Sequence, residues 1–343
     1  MTATAIESGV GHVWQCKQST LGTIQAANDT GQKHLRVVGD KALKGAKEHG
    51  SEEWVDGNAW GTPGIYVNTA GGDVGELAFQ AQAETAGFLF AQAIGSDVVT
   101  GSGDPYTHTI ATGTAAAALQ TIRQQVGNAV GPWKNSFYDA RVNKLTWNAG
   151  ADQIIARITE SILAMKSAEW YTTAPTATDS ATDPFNWHEA TGAVTIDATA
   201  FNEIDGETLE LDRKDSIHYG DSHLPVCFIA GKGEITRSFS ALVTDNTLPV
   251  LKNALYGTTS PSNGTALAAT VQYAALETTY TKTSDRTLKI TTPKVELKAA
   301  DFEIGPKAEG GKIPVAFGGR CLKSGSTAAL TIVAKTGDSA AYV

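Results

Sequence analysis

The sequence predicts a mainly β protein with short helices, an α+β chain in which two tandem β-sandwich or barrel-forming domains each pack one short helix on a sheet. Three observations carry that expectation. Many segments alternate β-branched with polar residues, the two-residue period of a half-buried strand, and methionine occurs only twice. With 41% hydrophobic and 18% charged residues in a length of 343, the chain can bury a sizeable core. A strand feeding a short helix that stops on glycine occurs at residues 75–95 and again at 233–257.

In the earlier unit Leu77 and Phe79 share one strand face, and a helix from about Glu84 carries Phe88, Leu89 and Ala93 towards Gly95. In the later one Ile235, Arg237 and Phe239 share a face, and Asp245 or Asn246 caps a helix that carries Leu248, Leu251 and Leu255 towards Gly257. Glycine just past the last helical residue adopts the left-handed conformation that closes the final turn.

Residues 1–60 are polar and irregular, with an apolar patch at Val13 and Trp14 and a strand-like 35–38. They read as an N-terminal arm and connecting segments of the first domain, ordered against something larger such as a neighbouring subunit. Trp54 and Trp60 need burial and an N–H partner, which predicts a packed loop there. The first domain is expected over 61–172. Strands at 65–67 and 74–80 form a hairpin about Gly71-Gly72, and the helix, a flexible loop at 96–105 and a strand at 106–110 follow. Residues 114–126 fit two periods. Ala115, Leu119, Ile122 and Val126 have helical spacing, while Leu119, Thr121, Arg123 and Gln125 alternate. Strands at 140–147 and 153–163 meet at Asn148-Ala149-Gly150.

A run of Thr, Ala, Pro, Ser and Asp within 171–184 has no periodic apolar face and makes 173–190 a linker. The second domain, 191–343, repeats the order of events. Strands at 193–196 and 208–211 precede a hairpin of 224–230 with 234–242 about Gly231-Lys232-Gly233. After the helix comes a loop at 258–265. Strands at 273–281, 288–290, 294–297, 313–317 (across Glu309-Gly310-Gly311) and 331–334 complete the chain. Identity between the halves is slight, so duplication is inferred from the order of elements.

A net charge of −9 opposes non-specific attraction to nucleic acid, which rests on Lys and Arg neutralising phosphates. It permits a wall that encloses DNA without retaining it. Cys16, Cys227 and Cys321 include no Cys-x-x-Cys pair and read as buried thiols. No secretion signal or membrane-length apolar run is present in the sequence, so folding in cytosol is expected and the Asn-x-Thr triplets at Asn28 and Asn263 carry little weight.

No catalytic, cofactor or metal site is expected. His218, Asp221 and His223 lie within six residues, but their spacing matches no ligand pattern and Tyr219-Gly220-Asp221-Ser222 reads as a turn. Gly9/Gly11, Gly101/Gly103 and Gly231/Gly233 complete no phosphate-binding loop. Among Glu207, Glu210 and Asp212, the latter two share a strand face and read as a solvated or lumen-facing stripe, not a catalytic pair. Arg141 and Lys144, beside Tyr138 and Trp147, suit subunit contact better than a nucleic-acid surface. No Gly-x-Ser-x-Gly elbow is present and no cysteine has a histidine partner motif, so an enzyme is not expected.

Several stretches resemble a family. Gln18-Ser19-Thr20-Leu21-Gly22-Thr23, Gly75-Glu76-Leu77-Ala78-Phe79 with Gly87-Phe88-Leu89-Phe90 and Ile94-Gly95, residues 138–146 from Tyr138 to Thr146, and the 233–257 unit look like the major tail tube proteins of long-tailed bacteriophages. The resemblance runs from about Val13 to Ala334. It implies a structural virion protein whose rings stack into a hollow tube for genome ejection, with β-sheets lining the lumen, and it favours a strand for 119–126. Single-domain members form six-membered rings, so a duplicated chain implies a trimer with pseudo-sixfold symmetry, the hexamer being the alternative. Implied partners are the chain itself, a tape measure protein, and terminator or distal tail proteins. Duplex DNA passes without specific binding through a lumen that the net charge predicts to be acidic. The implied location is the virion tail, after synthesis in the host bacterial cytoplasm. Competing readings are another ring-forming tail component, a β-rich adhesin or carbohydrate-binding module, and an enzyme of unrecognised type.

Overall fold

The alternating stretches form strands, and pairing sorts them into two large sheets and two small hairpins. The computed structural model describes residues 11–26, 29, 31–39, 41–45, 47–54, 62–126, 133–169, 175, 177, 180, 182–190, 194–221, 224–299 and 314–343, without side-chain detail for 47–54, 62–70, 169 and 299. In chain order the first elements are β1 (Gly11–Lys17), β2 (Lys33–Leu35), β3 (Lys47–Trp54), β4 (Thr62–Ala70), β5 (Gly72–Gln80), α1 (Ala83–Ile94), β6 (Val98–Thr100), β7 (Tyr106–Ala111), β8 (Gln120–Val126), β9 (Trp133–Gly150) and β10 (Arg157–Glu169). A 3-10 turn at Trp187–Ala190 leads into β11 (Val194–Ile196), β12 (Thr199–Ala200), β13 (Ile204–Asp212), β14 (Ser216–Tyr219), β15 (Pro225–Ile229) and β16 (Glu234–Leu242). Then come α2 (Leu248–Tyr256), β17 (Tyr273–Thr283), β18 (Arg286–Glu296), β19 (Lys298–Ala299), β20 (Pro314–Arg320) and β21 (Thr331–Thr336). The fold is β-rich α+β, as the alternation predicts.

The ten-stranded sheet runs β19-β20-β16-β13-β9-β8-β1-β2, with β10 and then β5 on the other side of β9. The 18-residue β9 organises it. β10 follows one edge of β9 from Asn135 to Asn148, and the other edge is divided. Its first part pairs with β8, from Trp133↔Val126 to Ala140↔Gln120, and its last part with β13, from Lys144↔Asp212 to Gly150↔Gly206. The second sheet runs β12-β11-β17-β18-β21-β7-β6. Both sheets therefore draw strands from each side of 173–190, and one hydrophobic cluster extends from Val13 to Tyr342.

The chain takes the same route twice. From β5 in the larger sheet it passes through α1 to the β6–β7 hairpin of the smaller sheet and back to β8; from β16 it passes through α2 to the β17–β18 hairpin and back to β20. Both helices end as their glycines predict, with Gly95 at φ 83° and Gly257 at φ 71°. A Cβ on Gly95 would lie 1.8 Å from the Ala116 carbonyl oxygen, so packing as well as φ demands glycine. α1 is buried at every position except Glu84, whereas α2 buries only Leu251 and lies at the rim. The α2 cap is Thr247, not Asp245 or Asn246; the Asn246 amide instead bonds Glu203, 2.5 Å away.

Other expectations are corrected by pairing. The 65–67 and 74–80 strands do not form a hairpin: β4 pairs with β3 and β5 with β10. Gly71 and Gly72, at φ 95° and 142°, turn the chain between them, and Gly71 lies against the Met165 carbonyl where a Cβ would approach to 2.7 Å. Nor does 224–230 pair with 234–242. β15 pairs with β14, while β16 enters the larger sheet between β13 and β20, where its alternate apolar side chains are buried. Within the N-terminal arm, β1 is an interior strand with Val13, Trp14 and Cys16 buried. Of residues 114–126, Gln120–Val126 form the strand β8, and 288–290 and 294–297 lie in or beside the single strand β18. Asn28, Trp60, His223, the Glu309-Gly310-Gly311 turn and, within the 173–190 linker, residues 173, 174, 176, 178, 179 and 181 lie outside the described residues.

Glu160 of β10 is wholly buried, opposite Leu77 and Leu145 on its two neighbours. One carboxyl oxygen accepts a bond from Gln15 Nε2 at 2.9 Å and the other has no partner among the described residues. Burial pushes its pKa from 4.5 up to about 8. Because the folded state holds the proton that the unfolded chain releases, unfolding free energy should fall as pH rises from 4.5 to about 8 and then level. In denaturant titrations across that window, Glu160→Gln is expected to flatten the slope and add on the order of 3 kcal/mol at pH 8. A variant that keeps the wild-type slope would contradict this assignment.

Candidate assembly interface

The side chains that suggested chemistry disperse. His218 and Asp221 are exposed on the β14–β15 hairpin, and among the described residues no three His, Cys, Asp or Glu side chains converge to hold a metal. Cys16 and Cys321 are buried, and burial pushes their thiols up to about 11 and about 12. Cys227, expected to be buried, is exposed on β15 because that strand joins neither large sheet. Gly9 is outside the described residues; Gly11 opens β1, Gly101 and Gly103 lie in the β6–β7 connection, and Gly231 packs on the Lys214 backbone, where a Cβ would come within 1.9 Å.

The three candidate carboxylates Glu207, Glu210 and Asp212, all on β13, separate by parity. Glu210 faces outwards and pairs with Lys144 at 3.0 Å, and Asp212 Oδ1 accepts the Lys214 amide at 3.0 Å. Glu207 has the parity of Leu209 and Leu211 and is buried with them, on the face opposite Glu210 and Asp212. Its Oε1 accepts from Trp147 Nε1 at 2.9 Å and the Tyr280 hydroxyl at 2.7 Å; its Oε2 accepts from Thr278 Oγ1 at 2.8 Å and Arg237 Nη2 at 2.9 Å. Arg237, also buried, sends Nη1 to the carbonyls of Leu276 and Ile290 and to Thr292 Oγ1. Burial, together with the charge of Glu207 and the bond to it, holds the Tyr280 phenol well above its ordinary pKa, so it remains a donor. This network crosses from β9, β13 and β16 of one sheet to β17 and β18 of the other.

Two stretches that carry the family resemblance meet. Gln18 Nε2 donates to Asp139 Oδ1 at 2.5 Å, Asp139 N returns a bond to Gln18 Oε1 at 2.8 Å, and Gly22 N donates to the same Asp139 oxygen at 2.6 Å. Asp139 takes φ 49°, which for a short polar residue is tolerable strain, and Gly22 takes φ 82°. The segment after β1 is thereby fastened to β9 and presents Leu21 and Ile24 to solvent. The β14–β15 hairpin presents Leu224, Val226 and Ile229 and is anchored by the Tyr219 hydroxyl on the Gly71 carbonyl (2.6 Å) and by Arg141 over the Phe228 ring (4.5 Å). Arg141, Lys144, Tyr138 and Trp147 therefore make no common basic-aromatic patch. Arg141 holds the hairpin, Lys144 meets Glu210, Tyr138 lies under Lys166, and Trp147 is in the core.

A family model described as phage tail tube protein matches residues 11–321. The chain belongs to that family. No curated protein sequence matches it significantly. The family is one of structural tail proteins, not of enzymes, so membership in the phage tail tube family implies self-assembly and a place in the virion tail. The match includes both halves of the Gln18–Asp139 fastening, the β14–β15 hairpin and the Glu207–Arg237 network. Among the described residues of this tail tube protein, no helix is long and apolar enough to cross a membrane.

Removing one member of a buried pair leaves the other charge uncompensated. Arg237→Met is expected to cost about 3–5 kcal/mol in chemical denaturation followed by tryptophan fluorescence. Adding Glu207→Gln, which keeps an acceptor for Trp147 and Tyr280 but removes the charge, should recover part of that loss. Losses that simply add would show that the two charges are not coupled.

Proposed function

We propose that the chain polymerises as stacked rings into the phage tail tube, a hollow conduit through which duplex DNA leaves the virion. The observation that carries this reading is the family match over residues 11–321. Surfaces of the molecule support it. The two-stranded β14–β15 hairpin joins neither large sheet and carries exposed apolar side chains that suit a partner surface. Neighbouring copies that cover it, together with the Leu21–Ile24 loop, would turn these liabilities into joints.

The twice-travelled route from larger sheet to helix to smaller-sheet hairpin supports two tube-like modules, placed by sequence at 61–172 and 191–343 with residues 1–60 and the 173–190 linker joining them. Two modules per chain favour a trimeric ring of pseudo-sixfold symmetry over a hexamer of chains. The net charge of −9 favours an acidic lumen that lets DNA slide without specific binding. Tape measure, terminator and distal tail proteins are the partners such a tube requires, and the host bacterial cytoplasm is the place of its synthesis.

Negative-stain electron microscopy of the purified protein is expected to show long hollow tubes with three chains per ring. Single rings that do not stack would point to a terminator or distal tail component, and six chains per ring would overturn the trimer. Purified subunits should not retain duplex DNA at low salt; salt-sensitive retention would count against a non-adhesive lumen.

A further inference from the structure

A charged groove and a rigid turn lie at opposite ends of the same two strands. At the end where β13 finishes and β16 begins, Lys214, Lys232, Arg320 and Lys323 border a concavity of about 540 Å³. Among the described residues Glu234 is the single carboxylate in its lining, 3.3 Å from Lys214 and ion-paired with Arg320, so four cations there face one acid in a chain of net charge −9. Lys232 and Lys323 have no ion-pair partner among the described residues, and the half-exposed Leu322 adds an apolar contact to the wall.

At the other end, where β13 begins and β16 finishes, stands the β9–β10 turn. Asp152 is exposed on it, Asp205 is exposed beside it, and Ile154 and Ile155 are 48% and 40% exposed. Arg157 and Glu203 also flank this end, and among the described residues no lysine or arginine lines its surface concavity. The turn is stiff. Ala151 N bonds the Asp205 carbonyl at 2.7 Å, Gly150 and Gln153 exchange backbone bonds, Trp187 N bonds the Ile154 carbonyl at 2.7 Å, and Ile155 bridges Asn186. Such a turn loses little conformational entropy on docking.

We propose that the 151–155 turn of one copy seats in the Lys214–Lys323 groove of the next copy, with Asp152 and the neighbouring Asp205 against the lysines and Ile154 and Ile155 against Leu322. The inference rests on the tube reading and names the contact that propagates it. Because knob and socket lie at opposite ends of the strands, a head-to-tail contact leaves one of each free for a further copy. Their separation along β13, nine residues, is about 25 Å at the rise of a strand, so each copy offers an unoccupied socket at the far end after its own turn is seated. Unlike charge across the joint sets orientation and speeds encounter, and like charge there is repulsive.

The test uses the full chain in three variants whose substituted side chains are exposed: Lys232→Glu with Lys323→Glu, Asp152→Lys with Asp205→Lys, and all four together. Circular dichroism and thermal melting check folding, and sedimentation with negative-stain microscopy measures the concentration at which tubes form. Each two-site variant is expected to raise that concentration roughly tenfold or more, and the four-site variant, with polarity exchanged, to restore tubes. Mixing the two two-site variants should also restore assembly, since each then finds an opposite charge. Wild-type tubes together with undiminished assembly of folded two-site variants would overturn the proposed contact while leaving the tube reading intact. A wild type that forms no tubes would remove both. Duplex DNA retained by the wild type and lost in the Lys232/Lys323 variant would assign the groove to phosphates and overturn the proposal.

Discussion

The buried pair of Glu207 and Arg237 is the interaction on which the arrangement of the two sheets depends. Replacing such a pair by apolar side chains is often neutral or stabilising, so its presence says little about total stability. Its value lies in the number of partners it must satisfy at once. Arg237 needs carbonyls from β17 and β18, and Glu207 needs donors from β9 and β17. A slip of one sheet over the other by a single residue would leave a charge buried without those bonds. The low dielectric that makes a satisfied network strong makes a broken one costly, and one relative placement of the sheets is selected.

Given that placement, β9 can serve both halves of the chain. Its divided edge accepts β8 from before the 173–190 linker and β13 from after it, and β7 and β21 make the equivalent connection in the other sheet. The parts suited to assembly are fastened to this frame. Asp139, held in a left-handed conformation within β9, grips the Leu21 loop; Arg141, two residues on, supports the β14–β15 hairpin. Exposed apolar side chains on rigid elements enter contacts with less entropy to lose than the same side chains on a free tail.

The element types were legible from the sequence because local chemistry decides them. Alternation marks β7, β13 and β17, and glycine closes both helices at the residues expected. Strand partners were not legible, since β5 finds β10 and β15 finds β14 through contacts that no local pattern encodes. The α2 cap was missed because Asn246 has a better partner in Glu203, distant in sequence. Glu207 and Arg237 could have been found. Each stands at the inward parity of its own strand, and an acid and a base at inward positions of two apolar strands are a signal of a buried pair. The Gln18–Asp139 fastening had a weaker signal, two polar residues inside stretches that resemble one family, with nothing in their spacing to say that they touch.

Shared strands and the Glu207–Arg237 network are expected to make the described chain one cooperative unit in spite of its repeated route. Native-state hydrogen exchange tests it most directly. Amides of β8, β9 and β13, and those of β7 and β21, are predicted to share one highest opening free energy, equal to the global value from denaturation. Two separate plateaus, with β13, β16, β17 and β18 opening together while β5, β8 and β10 stay protected, would contradict it.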